Sequence, residues 1–340
     1  MIPAQANTLL KELGQLFMVG VPGLEIDAST LELIRKYHIN NFIYFKRNVD
    51  NPGQLKKLSR ELRRACSDSG LAPPLIAVDQ EGGSVARLSH PFTEFPDARV
   101  LAESPEPEKA LRDYALVCAE ELKGIGVNYN LAPVLDVCVK GRGYFMEKRS
   151  LGGVAATVAR LGCIIIKELQ LNGIAACAKH FPGLGAAVVD PHLQLPSVTK
   201  TAHDLRQSDL RPFIEAVHCG AASIMTSHTI YRELDPENPA TMSKWILTDL
   251  LRSELGYQGV VITDDLEMGA IVKEGDLGQA AAQAFGAGAD LLLICHRHEK
   301  VIDALEKTAA AVQNLPGLQE RLQESIRRVA LLRHHFAAGV

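Results

Sequence analysis

The chain has 340 residues, 47% of them hydrophobic and 22% charged, and a formal net charge of −4. That composition is ordinary for a globular enzyme, and it leaves no basic excess to draw in nucleic acid. No run approaches the roughly 18 apolar residues of a membrane span, and Met1–Asn7 carries no positive region leading into an apolar run, so neither a membrane segment nor a signal peptide is expected.

In chain order, eight short apolar, β-branched runs recur: Leu16–Val21, Ile39–Phe45, Pro74–Val78, Val127–Ala132, Ile174–Ala178, Ala222–Thr226, Gly259–Thr263 and Asp290–Cys295. Their near-continuous hydrophobicity predicts parallel strands buried on both faces. Between them lie segments with helical spacing, including Glu106–Lys123, Ala155–Leu171, Ala202–His218 and Ser243–Leu255. Thr201 or Asp204 is placed to cap the third of these and Ser243 the fourth, and Pro316–Phe336 reads as a charged, amphipathic closing helix. Strands alternating with helices, without a linker rich in Gly, Ser or Pro, predict an α/β fold. The expected form is a single (β/α)8 TIM-type barrel over residues 1–340, with room for irregular first strands. A doubly wound open sheet is the alternative, weakened by the lack of a G-x-G-x-x-G after an early strand. The seven cysteines are scattered, with no C-x-x-C pair, and read as buried free thiols in a reducing cytoplasm rather than as disulfides or a metal site.

In such a barrel the chemistry collects at the C-terminal strand ends. Four runs end in ionisable groups: Asp79-Gln80-Glu81-Gly82-Gly83, Lys179-His180, Ser227-His228 and Asp264-Asp265. Each alone fits a cap or a turn; four on one rim fit a site. Gly82-Gly83 and Phe181-Pro182-Gly183-Leu184-Gly185 allow close approach of backbone to a ligand. Asp190-Pro191-His192 lies just beyond the Lys179-His180 strand end, where the carboxylate can hold the imidazole in one tautomer as a proton shuttle. Asp79, His180, His228 and Asp264 could instead hold two metal ions, but the first strand ends Val19-Gly20-Val21-Pro22-Gly23, without the H-x-H pair such sites usually carry.

Four stretches together resemble glycoside hydrolase family 3. They are Val78–Arg87, Leu131–Val137, Lys179–Gly183 and Val261–Met268. The resemblance runs from about residue 12 to residue 295 and is greatest to the family's single-domain NagZ-type β-N-acetylglucosaminidases. It implies Asp264 as nucleophile, a choice over Asp265 that the pattern alone does not make. It implies His192 with Asp190 as the acid/base dyad on the loop after the fifth strand. Asp79, Arg87, Arg149, Lys179 and His180 are implied to bind the terminal sugar. Larger relatives take the acid/base from a second domain, for which this length leaves no room.

The chain departs from the family pattern at Leu184, where the common motif has His, and at Pro191, where it has Ser. It departs again over Cys138–Glu147, with Tyr144, Phe145 and Met146 in place of a more polar loop. The implied reaction is retaining hydrolysis of terminal β-linked N-acetylglucosamine from peptidoglycan-recycling fragments, with no cofactor. The partner is a small carbohydrate or muropeptide, the setting cytoplasmic, and oligomeric state has no signature in the chain. A glycoside phosphorylase, a β-glucosidase and a non-enzymatic sugar-binding barrel are the competing readings.

Overall fold

A computed structural model describes residues 4–187, 195–272 and 276–337. Eight strands form one parallel sheet. In chain order they are β1 (Phe17–Gly20), β2 (Asn41–Tyr44), β3 (Leu75–Val78), β4 (Tyr129–Asn130), β5 (Ala175–Phe181), β6 (Ser223–Thr226), β7 (Val260–Ile262) and β8 (Leu292–Ile294). Each is paired with its sequence neighbours, and β8 pairs with β1. A parallel bridge from Ile262 to Leu291 joins β7 to β8 and closes the ring. Every residue of these strands is buried, as expected when helices cover the outside and side chains fill the inside.

All eight predicted runs become barrel strands, so the barrel is found and the open sheet is not. The expected irregularity lies elsewhere: β1 and β2 pair in plain register, Val19 with Phe42 and Gly20 with Ile43. The irregular strands are β4, only two residues long, and β5, whose register with β6 shifts between Lys179 and Phe181.

The helices begin where local chemistry starts them. Asp27, Asn51, Thr201 and Asp276 each accept a hydrogen bond from a backbone N–H in the first turn that follows. The predicted 202–218 helix is two, Ala202–Gln207 and Arg211–His218. Pro212 in the first turn of the second has no N–H to continue the first, so the helix restarts there. The predicted 243–255 helix is Trp245–Glu254, wound with π-type hydrogen bonds, and Ser243 Oγ accepts from Ile246 N at 3.2 Å. No helix among the described residues is long and apolar enough to cross a membrane.

The last helix, Leu318–Phe336, is fastened to the base of β8. Asp290 is fully buried; Arg321 meets its Oδ1 at 3.1 Å and Arg328 at 3.3 Å, and Arg252 reaches its Oδ2. Burial alone would raise the Asp290 carboxyl, but the three guanidiniums outweigh it and hold the group below its ordinary value. All seven cysteines are free, five of them buried as expected, while Cys163 and Cys219 are partly exposed.

Candidate active site

The C-terminal ends of the strands surround a recess of about 250 Å³. Asp79, Arg87, Arg149, Lys179, His180, Asp264 and Asp265 all line it. Six strand-end and loop positions predicted from sequence therefore converge, together with the second Asp of the pair.

The backbone explains how. After β3 the chain turns back on itself in a hairpin, Gln80–Gly82 against Val85–Ala86. Gln80 Oε1 accepts from Arg87 N at 2.9 Å and Leu88 N at 3.0 Å, which fixes the return strand. Gly83 makes the turn at φ +53°, and a Cβ there would lie 2.0 Å from Asp97 Oδ1, so only glycine fits. The hairpin brings the Arg87 guanidinium back to Asp79 Oδ2 at 3.0 Å.

After β4 the chain stays extended alongside β5, with Val134 bridged to Lys179 and Leu135 N donating to Lys179 O at 2.6 Å. That path sets Asp136, fully buried, beside His180. Its Oδ2 lies 2.7 Å from His180 Nδ1, and its Oδ1 accepts from His180 N at 3.2 Å and Leu184 N at 2.6 Å. The peptide between Lys179 and His180 is cis. Gly185 then passes so close to the 137 backbone that a Cβ would meet Val137 O at 2.1 Å.

The charges interlock. Lys179 Nζ sits 2.9 Å from Asp79 Oδ1 and 2.6 Å from Glu81 Oε1. Arg149 forms a two-pronged pair with Glu81, at 2.9 and 2.8 Å, and its Nη2 lies 3.5 Å from His180 Nε2. Burial would raise the carboxyls, but the facing cations prevail. Lys179 and Arg87 hold Asp79 well below the carboxylate range, and Arg149 and Lys179 hold Glu81 down at about 2. Burial likewise works against the charge on Lys179 and Arg149, and the carboxylates outweigh it in both, raising each. The result is a wall of fixed donors and acceptors suited to sugar hydroxyls and amides.

The facing wall is built from the end of β7. Asp264 Oδ1 accepts from Asp265 N at 2.8 Å. Asp265 turns toward β8 instead: its Oδ1 accepts from Glu267 N at 3.0 Å and Cys295 N at 3.3 Å, and its Oδ2 lies 3.6 Å from His296 Nε2. Burial drives the Asp265 carboxyl up to about 7 against these hydrogen bonds. The remaining wall is apolar, with Phe145, Leu184, Met225 and Met268.

His228, weighed above as a metal ligand, does not line the recess. Its Nδ1 meets Thr241 Oγ1 at 2.8 Å and its Nε2 meets Asp265 O at 3.0 Å. Among the described residues no cluster of His, Cys, Asp and Glu is arranged to hold a metal ion. Asp190 and His192 lie outside the described residues. Glu81, Asp136, His296 and Phe145 belong to the site but were given no role from sequence. Glu81 and Asp136 stand inside motifs quoted for the resemblance, and Asp136 interrupts an apolar run, the usual signal of a buried charge with a partner.

Residues 8–332 match the glycosyl hydrolase family 3 N-terminal domain. The chain belongs to this family. A β-hexosaminidase of Idiomarina loihiensis is 33% identical over 319 residues, covering 92% of this chain and 92% of that protein. The structure of a family 3 β-N-acetylglucosaminidase from Paenibacillus sp. is 40% identical with a TM-score of 0.93; the match covers 98% of this chain but 64% of that longer one. NagZ of Neisseria gonorrhoeae, solved in complex with N-trifluoroacetyl-D-glucosamine, is 28% identical with a TM-score of 0.76, covering 92% of this chain and 98% of that one. The family 3 chain described here is thus a glycoside hydrolase whose charged recess sits where barrel enzymes do their chemistry.

Proposed function

We propose that this family 3 chain is a retaining exo-β-N-acetylglucosaminidase that works through a covalent glycosyl–enzyme on Asp264. The observation that carries the reading is the placement of Asp264 at the end of β7, opening onto the same recess as the Asp79–Lys179–Glu81–Arg149 network. The relatives named above, β-hexosaminidases and β-N-acetylglucosaminidases, support the sugar.

In this scheme Asp79, Arg87, Lys179, Arg149 and His180 orient the terminal sugar. The Asp264 carboxylate attacks the anomeric carbon, the glycosidic C–O bond breaks, and the leaving oxygen takes a proton from His192. His192, held by Asp190, then removes a proton from the water that releases the sugar. Asp265, held up by burial, keeps a second negative charge away from Asp264 below neutral pH. Peptidoglycan-recycling fragments in the cytoplasm are the proposed natural substrate.

The test is hydrolysis of an aryl β-N-acetylglucosaminide, with and without inorganic phosphate, by the wild type and Asp264→Ala. A loss of roughly a thousandfold or more in kcat/KM is expected for the variant. Near-normal activity would overturn the assignment, and phosphate-dependent release of sugar 1-phosphate would make the enzyme a phosphorylase.

A further inference from the structure

On the outer helical layer, away from the barrel mouth, lies a groove of about 660 Å³ between helices Pro107–Gly124, Ala155–Leu171 and Arg211–His218. Two of its lining residues are cysteines. Cys163 stands mid-helix and Cys219 is the C-cap residue of Arg211–His218. They are the two cysteines of the seven that are not buried.

Both thiols reach the last turn of helix Arg211–His218, against the carbonyls of successive residues. Cys163 Sγ lies 3.3 Å from Glu215 O, and Cys219 Sγ 3.5 Å from Ala216 O. A thiolate on Cys163 is met by the S–H of Cys219, which lowers the first thiol, and the Lys167 ammonium adds to this; burial and the Glu215 carboxylate work against it. The proton retained on Cys219 is correspondingly hard to remove.

The groove also has a sign. Arg160 is occupied by Glu108, and Arg112 faces Glu168 at 3.9 Å. Glu215 is met by His218 at 3.9 Å, and among the described residues no ion pair engages Lys167 or Arg211, so the lining holds four cations, Arg112, Arg160, Lys167 and Arg211, against the three carboxylates of Glu108, Glu168 and Glu215.

We propose that Cys163 and Cys219 form a reactive dithiol site that takes small anionic disulfides and closes to an intramolecular disulfide. The Cys163 thiolate attacks one sulfur of the disulfide RS–SR; that S–S bond breaks and RS⁻ leaves with the electron pair and takes up a proton from water. Cys219 gives its proton to water and attacks the Cys163 sulfur of the mixed disulfide; the Cys163–SR bond breaks, and the second RS⁻ leaves and takes up a proton in turn. Two protein thiols are oxidised and one small disulfide is reduced to two thiols. The site is independent of the glycosidase reading.

The experiment treats the reduced, native, full-length protein with oxidised glutathione, quenches with an alkylating agent and maps the peptides by mass spectrometry. The wild type is expected to lose two hydrogens in a Cys163–Cys219 cross-link that dithiothreitol reverses. Cys219→Ser is expected to stop at a glutathione adduct on Cys163. Cys163→Ser is expected to react about tenfold or more slowly, and cystamine, a cationic disulfide, more slowly than oxidised glutathione. The proposal is overturned if the wild type stops at a mixed disulfide, if Cys219→Ser carries its adduct elsewhere, or if the five buried cysteines react as fast as this pair.

Discussion

Glu81→Gln removes one negative charge from the charged wall without changing its shape, and its cost can be worked from the geometry. Glu81 is nearly inaccessible, 5% exposed, and is the shared partner of Lys179 and Arg149. Its carboxyl is held at about 2 against an ordinary value of 4.5, with burial opposing and the two cations prevailing. At about 1.4 kcal/mol per pH unit, that difference corresponds to roughly 3 kcal/mol of stability. It matches the roughly 3–5 kcal/mol typical of breaking a buried pair on one side. The sign follows from the lowered value: the contribution is fully present above pH 4.5 and is lost as the pH falls through about 2. Urea unfolding of the wild type and Glu81→Gln at neutral pH should therefore differ by about 3 kcal/mol, and the difference should shrink to less than half near about pH 3. A difference below about 1 kcal/mol, or one that does not change with pH, would refute the account of Glu81 as an ionised clamp.

Three further outcomes follow from the same structure. Leu184→Ala should cost about 2 kcal/mol in the same unfolding assay, because Leu184 is only 2% exposed in a cluster with Val134, Cys138 and Met146. Asp265 is raised by burial to about 7, so its contribution to stability is present at low pH and lost as the pH rises through about 7. Thermal melts of Asp265→Asn should accordingly decline less between about pH 4 and pH 7 than those of the wild type, with no further divergence above that window. Phe145→Ala, which removes an aromatic wall of the recess, should raise KM for glycosides with a large leaving group by roughly tenfold, with a smaller change for simple aryl glycosides; equal changes on both would place Phe145 outside leaving-group recognition.

The barrel was legible because its strands are buried on both faces. A run such as Leu75-Ile76-Ala77-Val78 carries no polar residue that could face water, so its position and ends are visible in the chain. The break in the 202–218 helix was legible in principle from Pro212 but is masked by a helical pattern on both sides. The rim residues stood out as the first polar group after each apolar run, and Asp79, Lys179, His180 and Asp264 were all found that way. Glu81 and Asp136 were not given roles, because their importance lies in partners roughly 100 and 44 residues away, Lys179 and His180, and pairing at that range is set by the closed ring rather than by local pattern. The Cys138–Glu147 departure also had a hidden logic. Glu147 Oε1 and Oε2 accept from the backbone N–H groups of residues 141–144, which shapes the loop that presents Phe145, and Met146 packs with Leu184. Two departures from the family pattern, far apart in the chain, are one packing arrangement. The Asp190–His192 assignment rests on the resemblance.

The arginine clasp on Asp290 also constrains the order in which the chain can be completed. Asp290 sits at the threshold of β8, and two of its three cations come from a helix that begins 28 residues later, at Leu318. Until that helix arrives, the carboxylate has Arg252 as its one cation, beside the Val261 N–H, and burying it is less favourable. A ribosome-bound chain that has emerged only through β8 would therefore hold its last strand at the surface, leaving β1 and β7 with open edges. Ring closure becomes an event that follows synthesis of the final helix, and the lifetime of those open edges is the window in which chaperones, or other nascent chains, can compete for them.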